Sequence, residues 1–349
     1  MAVQADSERD SWSETASRDP DPPPKRILCI DGGGILGTCP AAFLAKLEDD
    51  LDAPIGRYFD LIAGTSTGGI LAIGLALGLP AKELRDLYVE RGPVIFGQTG
   101  RTAATRWIQR RVAFARQFVC PKHDAKVLRR ELEDVLGDRR IGDAHTRLLV
   151  PAWDPEYRSV YIFKTAHHER LKNDYKQPAI EAAMATAMAP TYFARHRTAD
   201  NVGLLDGGVW ANNPIALAVV EAITMLGWPA RSLRILSLGC GDEVYRLPEA
   251  PGFIGLGFDA VKLFMSGQSR GALGMAKLLT GDQYERKAIF RYSPTMSKGD
   301  FGMDDTSQIG RLRGMGAAAA RHAQPELEPI FFAAPTAKFL PCHQLEKPR

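Results

Sequence analysis

The sequence predicts an α/β sandwich whose largely parallel central sheet is flanked by helices. One observation is alternation: short apolar runs that read as buried strands, such as Arg26–Ile30 and Leu233–Leu238, interleave with runs of helical apolar spacing over residues 26–238. The other is Gly64-Thr65-Ser66-Thr67-Gly68, set between the strand-like run Tyr58–Ala63 and the helix-like run Gly69–Leu75. A G-x-S-x-G turn in that setting reads as a nucleophile elbow, so tight that small residues must flank the raised serine.

Composition narrows the class. With 349 residues, 45% hydrophobic and 24% charged, the chain can bury one large core, with at most a small appendage. A net charge of +3 is too small to make a nucleic acid polymer the main partner, because such binding rests on many phosphate contacts. The five cysteines contain no C-x-x-C pair, so reduced, cytosolic thiols are expected rather than a zinc site or a disulfide framework. No basic start followed by an apolar stretch opens the chain, and Ile70–Leu79 falls short of the roughly 20 apolar residues a membrane span needs. A soluble protein that meets membranes only from its surface is expected.

Residues 1–24 are rich in Ser, Asp, Glu and Pro and have almost nothing to bury, which predicts a disordered tail. One domain is expected over residues 25–340, including helices that cover the sheet from the C-terminal side, with a short tail over 341–349. The first strand ends in Asp31-Gly32-Gly33-Gly34-Ile35-Leu36-Gly37. Adjacent glycines let backbone N–H groups turn toward a negative charge at a helix start whose dipole also favours one. Two readings compete for this loop. Gly32, Gly34 and Gly37 satisfy the spacing of a dinucleotide-binding turn, with Asp49, Asp50 and Asp52 near the ribose position. Alternatively the loop is an oxyanion hole serving Ser66. The second is preferred, because the serine elbow ends the next strand and should lie beside this loop in a parallel sheet.

Further along, the elbow helix is apolar on nearly all sides, as a helix buried at a domain centre is. Arginines crowd residues 101–130, Arg110 and Arg111 among them, with Trp107, Phe114 and Phe118 interleaved. Such a run is either the solvated face of a core helix or a basic surface for lipid headgroups or a phosphate-bearing ligand. Leu148–Val150 and Ser159–Lys164 read as two strands joined by a turn, and Pro178–Met188 as a small-residue helix. Val202–Asp206 is an apolar strand that delivers one carboxylate into the Gly207-Gly208 turn, after which Asn212 or Asn213 caps a helix beginning at Pro214. Helical stretches follow at Phe253–Leu279 and Thr306–Arg321, with an edge strand over Arg286–Tyr292.

A serine hydroxyl needs a base before it attacks. Two schemes are open: a Ser-Asp-His triad drawing on His322 or His343, or a dyad in which a carboxylate acts directly. His322 closes an Ala/Arg helix and His343 sits in a Pro-rich tail, whereas Asp206 ends a buried strand between apolar residues and glycines. That placement favours Asp206 over a plain turn or cap role for it.

The three motifs Asp31-Gly32-Gly33-Gly34, Gly64-Thr65-Ser66-Thr67-Gly68 and Asp206-Gly207-Gly208, with Ala189-Pro190-Thr191-Tyr192-Phe193 and Trp210-Ala211-Asn212-Asn213-Pro214, resemble the patatin-like phospholipases over nearly the whole ordered chain. The resemblance implies a three-layer patatin-like sandwich and a lipid acyl hydrolase that needs no metal or cofactor. By motif position Ser66 is its nucleophile, Asp206 its base, and Gly32, Gly33 and Gly34 its oxyanion hole, with Gly37, Gly64, Gly68, Gly207 and Gly208 shaping the turns. One departure stands out: Leu36 occupies a position where many family members carry Arg or Lys. Gly281-Asp282-Gln283-Tyr284-Glu285-Arg286 and Met303-Asp304-Asp305 are most similar to a stand-alone bacterial branch that includes anti-phage (CBASS) effectors switched on by a cyclic dinucleotide. That branch implies membrane phospholipids as substrate, an activator such as cyclic GMP-AMP (cGAMP), and action in the cytoplasm at the inner membrane surface; a homo-oligomer is compatible with it. Arg110 and Arg111 are the candidate contacts for activator or headgroup. The rival readings are a hydrolase without nucleotide control and a non-catalytic lipid- or nucleotide-binding module, against which the joint presence of Ser66 and Asp206 argues.

Overall fold

The computed structural model describes residues 22–96, 121–244, 259–282, 286–297 and 301–346. The tail expected over residues 1–24 lies outside them except for 22–24, as do Arg110 and Arg111.

Strand β1 (Lys25–Ile30) is the axis of the sheet. It pairs in parallel with β2 (Leu61–Gly64) on one side and β7 (Leu233–Leu238) on the other. Leu28 and Ile30 point into one core cluster while Ile27 and Cys29 point into the other, so the period of two along one strand demands a helical layer on each face. Helices α1 (Thr38–Glu48), α2 (Thr67–Ala76) and α3 (Ala81–Asp86), a single turn α4 (Gly92–Ile95), α5 (Ala125–Leu136) and α6 (Ala179–Ala187) all place residues in the first cluster. After the short α7 (Gly208–Ala211), helices α8 (Ile215–Val220) and α9 (Asp259–Thr280) fill the second. The last helix, α10 (Ile309–Leu327), packs along α1 and carries Pro325 near its end. It runs further than the pattern Thr306–Arg321 predicts, because Leu327 continues its buried face.

All ten residues of α2 are buried, in keeping with its lack of a polar face. The strand order is β5 (His196–Arg197), β6 (Gly203–Asp206), β3 (Arg147–Asp154), β2, β1, β7 and β9 (Ile289–Tyr292), with β3 also paired to β4 (Ser159–Lys164) as the expected hairpin. Strand β9 (Ile289–Tyr292) lies in parallel beside β7, and Asp282 Oδ1 accepts the amides of Ala288 and Ile289 that lead into it. Two short strands, β8 (Asp242–Val244) and β10 (Thr295–Ser297), pair separately.

The parallel pattern breaks where it bears on the site. Strands β5 (His196–Arg197) and β6 (Gly203–Asp206) run antiparallel to their neighbours. One edge of β3 is taken by β4; on the other it pairs with β2 over Arg147–Leu149 and with β6 at Ala152 and Trp153. Strands β2 and β6 therefore approach each other head-on along that edge. Among the described residues no helix is long and apolar enough to cross a membrane. Residues up to Glu346 extend the ordered body beyond 340, with the Cys342 amide donating to Ala166 O and Leu345 against Gly142.

Candidate active site

The elbow has the local geometry that G-x-S-x-G requires. Ser66 sits at φ 56°, in the left-handed region, between the end of β2 and the first turn of α2. A non-glycine residue held there costs about 1–3 kcal/mol, so surrounding contacts must determine it. They do: the Ser66 amide donates to Thr186 Oγ1 at 3.0 Å, and that hydroxyl donates onward to Pro151 O at 2.7 Å. Thr65 Oγ1 donates to Ala211 O, and Tyr88 donates its hydroxyl to Thr67 O, each at 2.6 Å. The flanking glycines are needed for close packing: a Cβ on Gly64 would stand 2.1 Å from Gly68 O, and one on Gly68 would stand 2.4 Å from Asp31 O.

Asp206 ends β6 opposite the elbow. The Ser66 hydroxyl donates to Asp206 Oδ2 at 2.6 Å, and the Gly208 amide donates to Oδ1 at 2.6 Å. Gly207 permits the turn, since a Cβ there would stand 2.2 Å from Pro151 O. With Asp206 only 4% exposed, burial pushes its carboxyl up to about 7, against the opposing pull of the Ser66 hydroxyl and the Gly208 amide. Such a group is ionised in part at neutral pH and returns a proton readily, which suits a general base.

The glycine loop lies beside this pair: a Cβ on Gly32 would meet Ser66 Cβ at 3.0 Å. Most of its amides are already engaged. Asp31 donates to Leu238 O at 2.9 Å, Gly32 to Asn212 O at 3.0 Å, Ile35 to Met303 O at 2.8 Å and Leu36 to Gly33 O at 3.2 Å. The N–H of Gly32, expected to serve the oxyanion hole, is occupied by the backbone that follows α7. Among the described residues the loop donors left without a partner are the amides of Gly33 and Gly34. Gly34 adopts φ +60° and lies against Met303, while Gly33 packs on Cys240, whose thiol donates to Asp31 O at 3.2 Å. Gly37 admits the Tyr88 ring, which a Cβ would meet at 2.9 Å.

From Ser66 a cleft runs between α2, α5 and the residues that follow α6, walled by Ile70, Leu87, Ile95, Phe96, Leu128, Leu132 and Phe193. Its lining is almost wholly apolar, so it suits a hydrocarbon chain and offers nothing to a charged one. Met303 closes the end near Gly34. The segment carrying it is tied down by Asp304, which pairs with Lys122 Nζ at 2.5 Å and with His123 Nε2 at 3.0 Å.

His322, exposed, is hydrogen-bonded to Ala318 O on its own helix and His343, half-buried, to Glu169 O; neither is bonded to Asp206 or Ser66. Among the described residues no group of three His, Cys, Asp or Glu side chains is placed to hold a metal ion. Sequence reasoning missed Thr186 and Arg291, the latter of which grips Asp31, and it used Met303 only within the Met303-Asp304-Asp305 resemblance, with no place at the site. Thr186 and Arg291 lie in no recognisable pattern, because each reaches the site from a distant part of the chain.

A family model described as patatin-like phospholipase matches residues 28–219. A cGAMP-activated phospholipase of Pseudomonas aeruginosa is 38% identical over 218 residues, 62% of this chain and 62% of that protein. Another from Vibrio cholerae is 33% identical over 250 residues, 66% of this chain and 70% of that one. Patatin-like protein 2 of Oryza sativa subsp. indica is 34% identical over 265 residues, 64% of this chain and 63% of that one. The chain thus spans somewhat under two thirds of the first and third of these relatives. The family match takes in the glycine loop, the serine elbow and the Asp206-Gly207-Gly208 turn on one sheet, and the chain belongs to the patatin-like phospholipase family.

Proposed function

We propose that the chain is a serine lipid acyl hydrolase of the phospholipase A type, working through Ser66 and Asp206. The observation that carries the proposal is the 2.6 Å hydrogen bond from the Ser66 hydroxyl to the Asp206 carboxylate at the head of an apolar cleft. Asp206 takes the Ser66 proton as Oγ attacks the ester carbonyl of a glycerophospholipid. The amides of Gly33 and Gly34 receive the tetrahedral oxyanion, and the acyl chain lies along Ile70, Leu132 and Phe193. Collapse expels the lysophospholipid alkoxide, which takes the proton back from Asp206. Asp206 then draws a proton from water, hydroxide attacks the acyl-enzyme, and Ser66 leaves with that proton as the fatty acid departs. No step requires a metal or cofactor.

Control by a cyclic dinucleotide belongs to the same proposal. Its support is that relatives from Pseudomonas aeruginosa and Vibrio cholerae are named cGAMP-activated phospholipases. The substrate is then membrane phospholipid, met from the cytoplasmic surface, and the arginine-rich stretch holding Arg110 and Arg111 supplies cations for either activator or headgroup. A hydrolase without nucleotide control is the second reading, favoured by the similarly matched plant Patatin-like protein 2. Hydrolysis of phospholipid vesicles measured with and without a panel of cyclic oligonucleotides separates the two. Saturable activation by one of them supports control; full hydrolysis that no nucleotide changes leaves the constitutive enzyme; and no hydrolysis of vesicles or soluble esters under any condition overturns both.

A further inference from the structure

The carboxylate that opens the glycine loop is gripped by a residue outside every motif. Arg291 lies on β9, in register with Ser237 of β7, and Ser237 is in register with Cys29 of β1. Its guanidinium therefore reaches across β7 to the residue just beyond the end of β1. Arg291 Nη1 donates to Asp31 Oδ1 at 2.8 Å and Nη2 donates to Asp31 Oδ2 at 2.5 Å, while Nη1 also donates to Ser237 Oγ at 2.8 Å. The side chains are 16% and 5% exposed, so the pair is shielded from solvent. Burial lifts the Asp31 carboxyl and Arg291 opposes that lift; burial likewise works against the Arg291 charge, but Asp31 and Asp242 keep it protonated.

We propose that Arg291 is a positioning residue for the oxyanion loop: it fixes Asp31 at the loop's base and neutralises a carboxylate that would otherwise stand near the developing oxyanion. The inference rests on the hydrolase reading of Ser66 for its catalytic consequence. Three arguments favour it over a purely stabilising ion pair. First, a buried ion pair is a weak source of net stability, so its presence calls for another reason. Second, the bidentate fork sets the carboxylate's orientation, which a point charge cannot do. Third, Asp31 is tied at every other point as well, its amide to Leu238 O and its carbonyl by Cys240 Sγ, which leaves the free amides of Gly33 and Gly34 beginning two residues from a fixed anchor.

The test compares Arg291→Lys and the double variant Asp31→Asn/Arg291→Gln with the wild-type chain. Arg291→Lys keeps the charge and loses the fork; the double variant removes the pair without stranding a buried charge, in case the lysine protein folds poorly. Turnover of a soluble short-chain ester is normalised to Ser66 sites titrated with a fluorophosphonate, and deuterium exchange is followed in the peptide covering residues 27–38. For Arg291→Lys, kcat is expected to fall about a hundredfold with KM unchanged, as for a catalytic group displaced by about an ångström, and the loop amides to exchange faster at a near-native melting temperature. The double variant is expected to melt near wild type and remain as slow. Wild-type kcat in either variant, or unchanged exchange in both, overturns the proposal. A wild-type chain that hydrolyses no ester, with exchange that still responds to Arg291→Lys, overturns the hydrolase reading and leaves Arg291 as the anchor of the loop.

Discussion

Ser66 Oγ and Asp206 Oδ2 stand 2.6 Å apart because β2 and β6 run toward each other along one edge of β3. A carboxylate delivered by a parallel neighbour would instead lie a strand spacing of about 4.8 Å to the side. Head-on approach also buries the pair, since each strand end is capped by its own glycine turn and the next helix. The antiparallel entry of β6 is thus what brings acid and alcohol into direct contact with no imidazole between them.

Substitution should separate a dyad from a triad. Ser66→Ala and Asp206→Asn are each expected to lower hydrolysis of a soluble ester by at least about a thousandfold, within the range of lost nucleophilic or general-base catalysis, with native circular dichroism. His322→Ala and His343→Ala should keep most activity, both being bonded elsewhere. An active Asp206→Asn protein beside an inactive histidine variant would sink the dyad.

The signals that made this site legible were local. Ser66 and Asp206 each close an apolar run and open a glycine turn, and Asp31-Gly32-Gly33-Gly34 does the same after β1, so strand ends and turn chemistry sufficed to gather them at one end of the sheet. What the sequence withheld was long-range. Thr186 is one threonine in a helix of small residues until Pro151 and Ser66 meet it, and Arg291 is one arginine on an edge strand until Asp31 faces it. Gly32 resembles its neighbours in sequence, and only the return of Asn212 after α7 consumes its amide. The orientation of β6 was equally hidden, since an apolar run carries no direction of pairing.

Thr186 bears on the elbow's strain. Thr186→Val removes the acceptor for the Ser66 amide and the donor to Pro151 O, leaving two buried backbone groups unsatisfied. Each costs about 1–3 kcal/mol, so the melting temperature should drop by several degrees. Because Ser66 is then less tightly held, kcat on a soluble ester should fall more than KM rises. A variant with native stability and kcat would show that the hydroxyl is incidental to the elbow.

The cleft's depth should set chain-length preference. Leu128 is buried in its wall, and Leu128→Trp would fill space that a long acyl chain needs, at an overpacking cost of about 1–3 kcal/mol. The ratio of kcat/KM for a sixteen-carbon over a four-carbon ester is expected to fall by about tenfold or more. An unchanged ratio would place the acyl chain elsewhere.

Titration of Asp206 gives two pH dependences of definite sign. In the proposed mechanism its carboxylate form is the base, and burial raises its folded pKa to about 7. Ester hydrolysis should therefore be small at acid pH, rise through about pH 7 and level off above it. Stability runs the other way. The folded pKa lies above the unfolded carboxylate value of about 3.9, so the native state holds this proton more tightly than the unfolded chain does. The associated stabilisation is fully present below about pH 4 and is lost as pH rises through about 7. Asp206→Asn carries no charge to bury, so its melting temperature relative to the wild type should be higher at pH 8 than at pH 4. Parallel melting curves across that range, together with a rate profile already level at pH 5, would mean that Asp206 ionises as an ordinary carboxylate and that its burial has no bearing on the base.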